Sequence, residues 1–296
     1  DLAKALAEFI DNSGEYRLGN TGETRITIED SKIIIADNAR GLTPDSMQLM
    51  FTVQRTAHAI NALGLYGYGF KSAVFHLARK CHVISKQGNK ITFGQLHGAT
   101  NFEYPMGYVN PGDKNWNPCQ TILKQYGIKG SKNGTIIVLS DLKDPPTNND
   151  IINAREQFAL MYYEVFSQNN DIKLFVNDVS VKYINILAAE FKSKKGKKGQ
   201  TSINGWRREP KVYIDPNGVS HNLLISTGVL PDGAGDTYAG FCRLRNGRLV
   251  AYGCKWHYEY VCGTQASVRR LQILIEDDEK MDRFYNMSPT KTLGRD

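Results

Sequence analysis

The chain opens on a helical rhythm. Leu2, Leu6, Phe9 and Ile10 recur at helical spacing with alanines between them, which predicts an amphipathic helix over Asp1–Asn12, packed on a core. The period then shortens to two. Thr24–Ile28 and Lys32–Ala36 alternate or run apolar around Glu29-Asp30-Ser31, a hairpin pattern. The second strand ends in Asp37-Asn38-Ala39-Arg40-Gly41. Thr43-Pro44-Asp45 then supplies a cap, a proline at the first helical position and an acid in the first turn, so a helix starts there. Gln54–Leu63 is expected to be a mobile connection, Phe70–Arg79 a helix, and Gln87-Gly88-Asn89 the turn of a second hairpin. An aromatic, Pro-bearing loop is expected over Asn101–Pro118, and a strand of the buried type over Asn133–Leu142.

The strongest punctuation is Asp144-Pro145-Pro146-Thr147-Asn148-Asn149, which divides the chain into residues 1–145 and 146–296. Two domains also suit a length of 296 residues. Beyond the boundary a long aromatic-rich helix is expected over Ile151–Phe166. Strands follow at Ile172–Val176, Lys211–Ile214, Ala239–Leu244, Arg248–Tyr252 and Arg270–Ile275, with Asn246-Gly247 turning the third into the fourth. The run Lys192–Lys198 holds five lysines in seven residues and reads as a flexible basic loop. No internal repeat is evident.

Charge and cysteine content narrow the classes. The net charge of +7 permits an acidic partner. Residues 1–145 carry 16 basic and 13 acidic side chains and residues 146–296 carry 21 and 17, so a nucleic-acid footprint would have to be a local patch. No apolar run approaches the ~20 residues of a membrane span, and the acid-bearing start is no signal peptide. Because it begins inside a helix, the chain is expected to be a piece of a longer protein. Five cysteines (Cys81, Cys119, Cys242, Cys254, Cys262) without a C-x-x-C pair suggest reduced thiols and an intracellular home. Cys242, Cys254, His257 and Cys262 can be drawn as a zinc site, but their spacing fits no common pattern.

Three stretches carry candidate chemistry. Glu8, Asp11 and Asn12 stand at i, i+3 and i+4 on one helical face. A carboxylate and a carboxamide projecting together can hold a hydrated Mg²⁺ and orient a water, although such a triplet alone also suits a solvated edge. Asp37, at a strand end beside Gly41, can accept a hydrogen bond from an exocyclic amine while the glycine lets a flat ring approach. Gly64, Gly67 and Gly69 precede Phe70, Lys71 and Ser72 at a helix start, where free backbone N–H groups and a lysine make an anion site. Neither the dinucleotide fingerprint nor the P-loop pattern fits this stretch.

Taken in order, a helix with E-x-x-D-N, a strand ending D-N-x-x-G, a glycine-rich lid before a helix and a strand beginning Gly134-Thr135 resemble the GHKL ATPase superfamily. That group includes gyrase-type topoisomerases, MutL and the ninety-kilodalton chaperones. Gly64–Ser72, Asn133–Val138, Arg245–Gly253 and Ser288-Pro289-Thr290-Lys291 are most similar to the MORC family of chromatin ATPases. The related ATPase with a structural-maintenance hinge domain is a second choice, through Leu6–Ser13 and Ala73–Phe75. The short connection Gln54–Gly64 departs from the MORC lid, and no coiled-coil arm or zinc-binding module is present.

The resemblance implies an α+β protein: a GHKL (Bergerat) α/β sandwich over 1–145, its mostly antiparallel sheet covered on one face by helices, then an α+β transducer-like domain over 146–296. It implies a slowly hydrolysing, Mg²⁺-dependent ATPase. In that reading Glu8 and Lys291 are catalytic, polarising water and contacting the γ-phosphate. Asn12 ligates Mg²⁺, Asp37 reads adenine with Gly41 and Thr135, and Gly64, Gly67, Gly69, Phe70 and Lys71 hold the phosphates. It further implies an ATP-dependent homodimer in the nucleus that clamps DNA or chromatin without sequence preference, in silencing or compaction. The basic run, Arg207, Arg208, Arg269 and Arg270 would lie on phosphates. A histidine kinase is disfavoured, for want of a dimerisation helix presenting a phospho-acceptor histidine. An ATP-binding scaffold, a chaperone-like protein and a MutL- or topoisomerase-like protein are the alternatives.

Overall fold

The computed structural model describes residues 1–15, 22–52, 69–97, 106–163, 172–183, 190–192, 198–200, 204–229, 240–245, 247–254, 271–277 and 281. The chain forms two compact units: residues 1–158 with 169–181, and residues 159–168 with 182–296. The boundary read from the sequence at 145/146 falls in the turn before α5 (Asn148–Met161), a helix that spans the division between the units.

An eight-stranded sheet forms the first unit. Its strands are β1 (Gly22–Ile28), β2 (Lys32–Asp37), β3 (Ala78–Gln87), β4 (Lys90–His97), β5 (Met106–Val109), β6 (Gly134–Leu142), β7 (Ile172–Val176) and β8 (Val179–Ser180). They run in the order β5-β4-β3-β6-β2-β1-β7-β8. Among the described residues of this sheet only the β1–β7 pair is parallel, so the sheet is mixed and mostly antiparallel as expected.

Register decides which residues share a face. Ile26 pairs with Ile35, Ile35 with Ile137 and Ile137 with Val83, a row of buried side chains that also carries Thr24, Asp37, Thr135 and Ser85 at one end. Helices α1 (Leu2–Glu15), α2 (Pro44–Phe51) and α3 (Gly69–Leu77) cover this face. α2 starts as its sequence dictates: Thr43 caps it, its hydroxyl accepting from the Ser46 N–H, with Pro44 in the first turn. It lies so close to β4 that a Cβ on Gly94 would stand 2.3 Å from Met47 Sδ.

Helix α4 (Trp116–Gln125) departs from the expectation of helices on one face only. It packs on the other side, where Cys119, Leu123 and Ile128 meet Ile34, Ala36, Ile84 and Ile136. The loop expected over Asn101–Pro118 likewise contains β5 and the start of α4. The helix expected over Phe70–Arg79 stops at Leu77, because Ala78 already pairs with Leu142 as the first residue of β3.

The second unit holds a five-stranded sheet in the order β11-β12-β15-β13-β14. Its strands are β11 (Asn204–Ile214), β12 (Ser220–Val229), β13 (Gly240–Arg245), β14 (Arg248–Cys254) and β15 (Leu271–Asp277). Leu160, Tyr163, Cys242, Leu244, Leu249 and Leu274 form its core. Arg243 and Asp277 are wholly buried as a bidentate pair, Nε donating to Oδ2 at 2.8 Å and Nη2 reaching Oδ1 at 2.8 Å. A two-stranded hairpin of β9 (Glu190–Lys192) and β10 (Lys198–Gln200) flanks the basic run, whose residues 193–197 lie outside the described residues. Among the described residues no helix is long and apolar enough to cross a membrane.

Candidate active site

Helix α1 is the spine of the site. Its apolar face, Leu6, Phe9 and Ile10, is fully buried, and the same packing carries Glu8 and Asp11 into the interior at 6% and 1% exposure. Asn12, one turn beyond Glu8, is half-buried.

Glu8 meets the start of α3. A Cβ built on Gly69 would stand 1.9 Å from Glu8 Oε2 and 2.8 Å from its Cδ, so the carboxylate occupies the space any other residue's side chain would need. Phe70 is not exposed at this junction. It lies 4% exposed between Phe9, edge-on at 5.6 Å, and Phe51, stacked at 5.8 Å, and thereby locks α1, α2 and α3 together. Lys71 follows, buried at 4% exposure, and burial pulls its ammonium down to a pKa of about 8.

At the other end of α1, Ser13 reaches the end of β2. Its hydroxyl lies 3.2 Å from Asp37 Oδ2 and 3.1 Å from the Phe9 carbonyl. Asp37 Oδ1 accepts the Ala39 N–H at 2.9 Å and the Thr135 N–H at 3.3 Å. These bonds turn the chain toward Gly41, which has φ +81° and packs on the β3 backbone: a Cβ there would stand 2.2 Å from the Lys86 carbonyl oxygen. Gly134 has the same duty beside Thr135, with the Asp37 carbonyl oxygen 2.2 Å from a would-be Cβ.

Ser85, fully buried on β3, ties these pieces together. The Leu42 N–H donates to its oxygen at 2.7 Å; the Gly134 carbonyl lies 3.1 Å away and the Thr135 hydroxyl 2.9 Å. Lys86 next to it donates to the carbonyls of Gly88 at 2.5 Å, Gly130 at 2.7 Å and Lys132 at 3.0 Å.

The structure thus gathers two groups of the sequence-expected residues, joined through α1. Glu8, Gly69, Phe70 and Lys71 form one, and Asp37, Gly41 and Thr135 the other, with Asn12 on the helix between them. Gly64, Gly67 and Lys291 lie outside the described residues, as do Gln54–Leu63, Arg269 and Arg270, His257 and Cys262. Ser85 carries no signal in the sequence, and Ser13 enters it only as the last residue of Leu6–Ser13, with no role assigned. Only their cross-strand and helix-to-strand positions opposite Asp37 and Thr135 mark them. Cys81, Cys119 and Cys242 are buried free thiols.

Residues 1–103 match the family model described as histidine kinase-, DNA gyrase B-, and HSP90-like ATPase. A comparison with curated protein sequences gives no match. The fold is similar to the crystal structure of the ATPase region of Saccharomyces cerevisiae topoisomerase II, with a TM-score of 0.55 and 12% identity over 93% of this chain and 72% of that one. Together, the matched segment, the mixed sheet under α1–α3 and the second sheet after it give this chain the fold of a GHKL-type ATPase domain followed by a second sheet domain.

Proposed function

We propose that the first unit binds ATP between α1, α3 and the end of β2, and hydrolyses it slowly. The observation that carries the reading is the buried Glu8 carboxylate, wedged against Gly69 at the start of α3. A carboxylate held in a dry wall at a helix start is poised to polarise a water at a phosphoryl group. Lys71 and the backbone N–H groups at the start of α3 hold the phosphates, with Gly64 and Gly67 extending that cradle. Asp37 accepts from the adenine amine, Thr135 stands beside it, and Gly41 gives the ring room.

Asn12 suits Mg²⁺ in its chemistry, because it offers one hard oxygen facing the same region as Glu8. Among the described residues no group of three or more His, Cys, Asp or Glu could hold a metal, which fits an ion carried in largely on the nucleotide's own phosphate oxygens. When bound, it neutralises charge on the phosphoryl oxygens. The division of labour in this chain is then simple. Asn12 orients, Glu8 polarises the water and accepts its proton, and Lys71 binds; Lys291 keeps the γ-phosphate role that the family resemblance implies for it.

The biological output is a clamp: ATP-driven homodimerisation, with the MORC-like motifs pointing to DNA or chromatin in a nucleus. The basic run Lys192–Lys198 supports sequence-blind contacts to phosphates. Five such contacts give a log–log salt slope of roughly −4 to −5 on duplex DNA. Sedimentation with a non-hydrolysable ATP analogue tests the dimer, and DNA titration at several salt concentrations tests the grip. Serine at the five lysines should flatten the slope without altering ATP binding. A protein that stays monomeric and keeps its full slope is no clamp.

A further inference from the structure

We infer that Ser85 is a positioning residue for nucleotide-base selectivity: it turns the Thr135 hydroxyl so that its lone pairs, not its proton, face the adenine site. The inference rests on the ATP-site reading above and adds a residue that never touches the nucleotide.

A proton count leads there. A serine hydroxyl has one proton and two acceptor lone pairs. Ser85 Oγ has three polar neighbours: the Leu42 N–H at 2.7 Å, the Gly134 carbonyl at 3.1 Å and Thr135 Oγ1 at 2.9 Å. The Leu42 N–H can only donate, so it takes one lone pair. The Gly134 carbonyl can only accept, so it claims the proton. What remains for Thr135 is the second lone pair, and only the Thr135 hydroxyl can then be the donor. All three Ser85 contacts are satisfied in this arrangement and in no other. Ser85 is fully buried, so no bulk water competes for its proton.

The consequence reaches the site. With its proton committed to Ser85, Thr135 Oγ1 offers only acceptor capacity. It stands beside Asp37, whose carboxylate is acceptor-only when ionised and whose Oδ1 takes the Thr135 N–H. A base edge bearing an amine meets two acceptors and suits them. A base edge bearing a carbonyl oxygen there, as in guanine, meets lone pairs with no proton to receive, and an unpaired buried polar contact weakens binding. Without Ser85, Thr135 is free to rotate and donate to that oxygen.

The test is the ratio of ATP to GTP dissociation constants on the full chain, measured by competition against a fluorescent adenine nucleotide. Ser85→Ala should lower the ATP preference about tenfold, mostly by gaining GTP affinity. Ser85→Cys nearly keeps the volume but is a weak hydrogen-bonding partner, and should behave the same way, which separates lost orientation from a lost side chain. In a Thr135→Val background Ser85→Ala should leave the ratio unmoved, because the hydroxyl it orients is gone. An unchanged ratio in both Ser85 variants, or an equal fall in the Thr135→Val background, overturns the inference while leaving ATP binding intact. A wild-type protein that binds neither nucleotide overturns the ATP-site reading itself, and this inference with it.

Discussion

Placing a methyl group on Gly69 should disable the water-activating carboxylate while sparing the fold. The Cβ would land 1.9 Å from Glu8 Oε2, whereas ordinary contact begins at 3.4 Å, so the carboxylate must retreat by about 1.5 Å. Nothing in the backbone resists the substitution. Gly69 opens α3 and is not among the positive-φ residues, so alanine can take its backbone conformation without strain. The clash falls on the flexible end of a side chain, so thermal stability should be unchanged or raised. Turnover should fall, since a misplacement on the order of 1 Å at a catalytic group costs about 10²-fold. Glu8→Asp draws the carboxylate back by one methylene and away from the new methyl. Gly69→Ala should therefore cost much less in the Glu8→Asp background, a coupling that a double-mutant cycle reads directly. Phosphate release, nucleotide affinity and a melting curve on the four proteins suffice. Turnover of Gly69→Ala within twofold of wild type, or an equal loss in both backgrounds, would refute the wedge.

Two other expectations follow from the same geometry. Gly41→Ala combines a left-handed φ of +81° with a Cβ 2.2 Å from the Lys86 carbonyl, and urea titration should show a loss of about 2 kcal/mol or more; an unchanged midpoint would mean the turn yields freely. Lys71, whose pKa is lowered from 10.5 to about 8 by burial, holds fewer protons folded than unfolded between those values. The sign follows: stability gains from Lys71 as pH rises through that window, and its desolvation penalty is felt in full below about pH 8. A phosphate that restores its charge should draw in about half a proton per nucleotide at pH 8, seen as a buffer-dependent binding enthalpy that Lys71→Met abolishes; no buffer dependence would place Lys71 away from the phosphates.

Much of the fold and of the site is legible in the amino-acid sequence, and for physical reasons. Thr43-Pro44-Asp45 fixes a helix start locally, and Glu29-Asp30-Ser31 fixes a hairpin, because each is written in a few consecutive residues. The ordered set Glu8, Asn12, Asp37, Gly69, Lys71 and Thr135 is legible only through its resemblance to the GHKL ATPases, and an ATP site there is what that resemblance implies. α4 escapes although Trp116, Cys119, Leu123 and Tyr126 stand at helical spacing, because Pro118 in its first turn and the Pro-bearing aromatic run before it read as a loop. Phe70 reads as part of the phosphate loop, yet its ring belongs to the core between Phe9 and Phe51. Ser85 is invisible for a different reason. A lone serine in Cys81–Lys86 is an ordinary strand residue until the β3–β6 register sets it opposite Thr135. Long-range pairing is what one sequence withholds.

The central claim is that Glu8 acts on water while its neighbours bind the nucleotide. Phosphate release and ATP affinity measured side by side on wild type, Glu8→Ala and Asn12→Ala test it most directly. Wild type should turn over slowly, Glu8→Ala should keep ATP affinity within a few-fold yet release no phosphate above background, and Asn12→Ala should lose nucleotide binding in Mg²⁺ buffer. Phosphate release by Glu8→Ala at the wild-type rate, or an equal fall in affinity for both variants, would contradict that assignment.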